Sequence, residues 1–103
     1  MAILISRYER RDAADRDAMG RAALELCRAC RAVEGYRSMR FYWTSADGIA
    51  FISDAESQEV FDRPGTPDVL RAAFALSDLA RNVGSERWTS AGEGEAAFRG
   101  AGR

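Results

Sequence analysis

The 103-residue chain contains no histidine and no lysine. Without histidine there is no Ser-His-Asp triad, no imidazole zinc site and no proximal-histidine haem ligation. Without lysine, Schiff-base and lysine general-base chemistry are excluded. All 15 basic residues are arginine, and 16 acids bring the formal charge to -1. That balance lacks the basic excess of a general nucleic-acid binder. Cysteine is limited to Cys27 and Cys30. Two thiols without histidine cannot complete a four-ligand zinc site in one chain. A redox C-x-x-C normally sits at a helix N-terminus, whereas this one falls late in a predicted helix. Both cysteines therefore read as small core residues. Long apolar runs are missing too. The opening run ends at Ser6, too short for a signal or membrane segment. The expected setting is the cytoplasm, with no membrane partner.

What is present is an ordinary globular composition, 47% apolar and 30% charged. The length fits one domain, expected over residues 1–90. Residues 91–103 hold Gly92, Gly94, Gly100 and Gly102 and one large apolar group, Phe98. This tail reads as a flexible end or an arm that packs on a partner.

Residues 2–8 are β-branched and aromatic, and predict a strand. Glu9 to Arg11 is a charged break. Asp12 is the expected N-cap of a helix, with Asp15 in its first turn. Met19, Ala23, Leu26, Cys30 and Val33 recur at helical spacing, and Gly35 suits the C-terminal turn. Residues 38–44 predict a second strand, turned by Ser45-Ala46-Asp47-Gly48 into a third over residues 49–54. A loop of two or four residues puts Met39, Phe41 and Trp43 on one face with Ala50 and Ile52. Arg40, Tyr42 and Thr44 then share the other with Ile49, Phe51 and Ser53. Glu56 to Phe61 predicts a short helical turn. Thr66-Pro67-Asp68 starts a helix expected to reach Asn82, with Val69, Ala73, Leu76, Ala80 and Val83 on one stripe, Leu70 and Phe74 beside it, and Gly84 closing it. Glu86 to Ser90, around Trp88, predicts a fourth strand.

Large apolar groups on both hairpin faces need more cover than one layer of helices provides. A second copy of the chain is the simplest cover. The expected fold class is α+β: a ferredoxin-like βαββαβ domain with an antiparallel four-stranded sheet.

This order, with the segments Ser45-Ala46-Asp47-Gly48-Ile49-Ala50-Phe51, Thr66-Pro67-Asp68 and Ala72-Ala73-Phe74-Ala75-Leu76, resembles the dimeric α+β barrel superfamily over residues 2–90. That group includes cofactor-free antibiotic-biosynthesis monooxygenases, muconolactone isomerases, haem-degrading enzymes and small uncharacterised proteins. The resemblance implies two sheets packed face to face in a homodimer, with helices outside. Haem-degrading and nickel-responsive members use histidines, which this chain lacks. The monooxygenases use an asparagine and a tryptophan; here those types are Asn82, Trp43 and Trp88.

Six side chains are candidates for a ligand site. Arg40 and Tyr42, on one strand face, suit an anionic or phenolic ligand, or equally a dimer interface. Trp43 and Phe41, with Met39, would wall a pocket between sheet and helices, or simply fill the core. Tyr8 and Trp88, with Arg7 and Asn82, would form one side of a pocket or pack at a sheet edge. Glu56 and Glu59, or Glu93 and Glu95, read as solvated acids rather than a catalytic or metal pair. No catalytic residue, metal or cofactor is indicated. The function read from this pattern is a homodimeric small-molecule-binding or accessory protein with an apolar, aromatic pocket between sheet and helices. The alternatives are a cofactor-independent monooxygenase or isomerase acting on an aromatic polyketide-like substrate, and a structural or regulatory protein-interaction dimer.

Overall fold

A computed structural model describes residues 1–92. The elements run β1 (Ala2–Arg10), α1 (Arg16–Arg31), β2 (Tyr36–Trp43), β3 (Gly48–Ala55), α2 (Gln58–Asp62), α3 (Pro67–Leu79) and β4 (Ala80–Thr89). The strands form one antiparallel sheet in the order β2-β3-β1-β4. This is the expected ferredoxin-like βαββαβ order, with α2 as an added turn before α3. The expected tail at 91–103, with Glu93, Glu95 and Phe98, lies outside the described residues apart from Ala91 and Gly92.

The hairpin corrects the expected pairing of faces. The loop is neither two nor four residues long. Thr44 N–H donates to Gly48 O at 2.9 Å, leaving three residues between them. An odd loop shifts the register by one residue, and a one-residue shift exchanges faces. Trp43 therefore stands opposite Ile49, Phe41 opposite Phe51, and Met39 opposite Ser53. Arg40 stands opposite Ile52 and Tyr42 opposite Ala50. Asp47 is held from the other side, accepting Arg10 N–H through its carbonyl at 2.7 Å and the Arg10 side chain through its carboxylate.

The corrected register sorts the sheet cleanly. One face carries Leu4, Ser6, Tyr8, Met39, Phe41, Trp43, Ile49 and Phe51. Against it packs α1 with Met19, Ala23, Leu26, Cys27 and Cys30, joined by Leu76 of α3, to make the core. The opposite face carries Ile3, Ile5, Arg7, Arg40, Tyr42, Ala50, Ile52, Asp54, Glu86 and Trp88. No element lies over it among the described residues. Ile52, Tyr42 and Trp88 are 39%, 50% and 54% exposed there.

Two helix boundaries also differ from expectation. Asp15, not Asp12, caps α1, accepting from the Ala18 amide at 3.0 Å. Ala13, at φ 64, turns the chain between the two aspartates. At the other end, α3 stops at Leu79, and Ala80 to Gly84 join β4 instead of prolonging the helix. The first residues of β4 pair with Arg10, Glu9 and Tyr8 of β1, and Arg11 N–H donates to Leu79 O. That ladder outweighs a helical stripe that ends in Ala80 and Val83. Val83 is the extra residue where the β1–β4 register shifts.

Candidate functional site

One end of the layer between sheet and helices is left open inside. There α1, β2, α2 and α3 surround a cavity of about 130 Å³. Cys30 comes from the last turn of α1 and Val33 from the turn after it. Tyr36 opens β2, Val60 and Phe61 come from α2, and Val69 from α3. The 63–66 loop closes the rim.

Local rules put these residues there. Helix α1 ends at Ala32, and Gly35, at φ 97, swings the chain into β2. Tyr36 is thereby placed one turn beyond Cys30. Gly35 is also required for space, because a Cβ there would lie 2.6 Å from Val60 Cγ2. Arg63 staples the rim: its Nη1 donates to Glu34 O at 2.8 Å and its Nε to Glu59 at 3.3 Å. Thr66 caps α3 by accepting from the Val69 amide.

The walls are mostly apolar, with Arg63 and Thr66 at the rim and the Cys30–Tyr36 pair inside. The Tyr36 ring meets the Phe61 ring edge-on at 5.7 Å, a favourable aromatic geometry. The Tyr36 hydroxyl and the Cys30 thiol are hydrogen-bonded. Burial pushes the Tyr36 hydroxyl up to about 12, and Cys30 adds to this. Burial raises Cys30 as well, with the Tyr36 bond partly opposing it. Both are therefore neutral at physiological pH. The thiolate is the reactive form of cysteine, so Cys30 offers a polar contact rather than a nucleophile. Behind Phe61, Arg87 of β4 lies 5.9 Å from the ring centroid and bonds Asp62 at 2.6 Å.

The six sequence candidates are not gathered here. Arg40, Phe41 and Tyr42 line a different hollow, a groove of about 330 Å³ between α1 and the edge strand β2. Trp43 is a half-buried core residue with the Arg16 guanidinium stacked 3.7 Å above its ring. Tyr8 packs edge-on against Phe51 at 5.4 Å on the helix-covered face. Trp88 is on the opposite face, its indole N–H donating to Glu86 at 3.1 Å. Tyr8 and Trp88 thus do not share a pocket wall. Asn82 pairs with Tyr8 in the ladder and is exposed. Among the described residues, no group of three or more metal-ligating side chains comes together. The residues that do meet at the cavity, Cys30, Tyr36 and Phe61, were not candidates. Phe61 carried one usable signal, being the sole aromatic residue between the hairpin and the second long helix.

No family model matches the chain, and no curated protein matches it in sequence. Solved structures do match in fold. Rv0793 from Mycobacterium tuberculosis is 22% identical, with a TM-score of 0.72 over 85% of this chain and 92% of that one. SnoaB, a cofactor-independent oxygenase from Streptomyces nogalater, is 13% identical, with a TM-score of 0.75 over 86% and 91%. A dimeric ferredoxin-like protein of unknown function from Bacteroides fragilis is 12% identical, with a TM-score of 0.66 over 84% and 93%. The chain shares the ferredoxin-like fold of these proteins.

Proposed function

We propose that the protein is a homodimeric binder of a small, largely apolar ring compound, held in the Cys30–Tyr36–Phe61 cavity. The observation that carries this reading is the combination of a partly open, mostly apolar space with one neutral hydrogen-bonding pair. Engineered apolar cavities of about 150 Å³ take up benzene, so 130 Å³ suits one ring. Tyr36 and Cys30 are placed to meet one polar substituent on it. Arg63 adds its stem to the wall, while its guanidinium is occupied by Glu59 and Glu34 O.

Titration with phenol, followed by amide shifts, tests this. Shifts centred on Val60, Phe61 and Tyr36 are expected. Val69→Phe, which fills the space, should abolish them while the circular dichroism stays native. Phenol shifts that persist in the filled variant, or none at millimolar ligand, would overturn the reading.

A second reading rests on the fold likeness to an oxygenase that needs no cofactor. With both cavity groups protonated, the chain supplies no base there at neutral pH. Proton loss would have to begin on an electron-rich substrate. A tricyclic anthrone also exceeds the cavity unless the walls move. Incubating the protein with anthrone-like phenols under oxygen and assaying for quinone separates the readings: turnover favours the enzyme, its absence with phenol binding favours the binder.

The homodimer is the other half of the proposal. Its support is the uncovered sheet face, where Ile3, Ile52, Tyr42 and Trp88 share one surface. Such a surface marks an interaction site. Packing it against the same face of a second copy makes a two-fold, self-matching contact.

A further inference from the structure

We propose that a second copy packs on the open sheet face about a two-fold axis parallel to the strands, so that Arg40 of one copy meets Glu86 of the other. This rests on the homodimer proposed above and adds its geometry. The strand ladders arrange the open face in three rows, each crossing β2, β3, β1 and β4 in turn. The middle row reads Arg40, Ile52, Ile5, Glu86. One flanking row reads Tyr42, Ala50, Arg7, Gly84, and the other Ser38, Asp54, Ile3, Trp88.

A two-fold axis along the strands, between β3 and β1, lays every row over itself end for end. The middle row then sets cation over anion at both ends, with isoleucine over isoleucine between them. Tyr42 falls over Gly84 and Trp88 over Ser38, so each exposed aromatic ring of this face meets a small residue. Gly84 has no atom within 4 Å of where a Cβ would stand, so the space above it is open in the single copy. Arg40 is exposed and, among the described residues, has no ion-pair or hydrogen-bond partner. Glu86 accepts from Arg7 through one oxygen and from the Trp88 indole through the other. A carboxylate has further acceptor positions for a second cation. An axis across the strands would instead set Arg40 over Arg40 and Glu86 over Glu86, and facing like charges are penalised. Packed sheets cross at about 30°. With strands about 4.8 Å apart, the edge strands lie about 7 Å from the axis, and this angle displaces them by about 4 Å. That is less than the roughly 7 Å between rows, an offset that the long Arg40 side chain can span.

Sedimentation of the full chain at a series of concentrations tests the geometry. Arg40→Glu should weaken the dimer roughly tenfold, because two exposed pairs per dimer turn from attraction to repulsion. Adding Glu86→Arg to that variant should restore the dimer. Salt should weaken the unaltered dimer and strengthen the Arg40→Glu one. Gly84→Phe reads the same contact by size. It should leave the circular dichroism native, since the space is open in one copy, and weaken the dimer by pressing on Tyr42 of the other. Adding Tyr42→Ala should recover it. An Arg40→Glu dimer as tight as the unaltered one, or a double reversal no tighter than the single, would overturn this geometry and leave the dimer standing. A monomer in the unaltered chain at micromolar concentration would remove the dimer, and this geometry with it.

Discussion

Gly35 shows how much one residue decides. Its positive φ and the 2.6 Å approach to Val60 make two separate demands that only glycine meets. Gly35→Ala is expected to cost about 1–3 kcal/mol, measured as a lower urea midpoint. Adding Val60→Ala should recover the steric share and leave the dihedral share. Cys27, Cys30 and Tyr36 make a second residue-scale prediction. Their ordinary values are 9.0 for the thiols and 10.0 for the phenol. The fold holds Cys27 protonated to about 11 and Tyr36 to about 12. As pH rises past 9 the unfolded chain loses these protons first, so it binds fewer than the native state. Stability must then fall with pH. The contribution is whole below pH 9 and is lost progressively up to about 12. Urea midpoints taken from pH 8 to 12 should decline, and Tyr36→Phe should flatten the upper part. The thiols should also react slowly with alkylating reagents in native protein and quickly in urea. The place of Cys27 and Cys30 late in the predicted helix pointed to core residues, but the Tyr36 partnership depends on the turn at Gly35 and is not visible in the letters.

At the level of elements, the helices and strands were legible because their periodicities differ. The breaks between them were harder. Asp12 and Asp15 are both acceptable caps by type, and the left-handed turn at Ala13 assigns the role to Asp15. Asp15→Ala should cost about 1 kcal/mol and Asp12→Ala much less, compared by thermal unfolding. Equal effects would contradict the assignment. The hairpin carries a larger lesson. Within residues 38–54 only Thr44 and Gly48 changed element, yet the two strands were matched through the wrong faces. Loop length by parity sets that match. Asp-Gly favours a two-residue turn, but Arg10 and Gly48 clamp Asp47 and Thr44 into a three-residue one. The end of α3 failed differently. Ala80 and Val83 continue a helical stripe, and the free edge of β1 claimed them instead.

For the whole molecule, the corrected faces sharpen the expectation of a partner. All the aromatic residues of β2 except Tyr42 lie under the helices or at their margin, so the open face is a smaller apolar patch built on Ile3, Ile52 and Trp88. Ile52→Glu places a charge at its middle. The variant should sediment as a monomer where the unaltered protein sediments as a dimer, with little change in circular dichroism. A monomer at micromolar concentration in the unaltered chain would remove the need for a partner. Composition and periodicity were enough to establish the fold class, the element order and the absence of histidine- or lysine-based chemistry, because those follow from residue types and local spacing. The register of the hairpin, the extent of β4 and the meeting of Cys30, Tyr36 and Phe61 were decided only in three dimensions. Each depends on a contact between distant segments, and such contacts leave no periodic mark in a single chain.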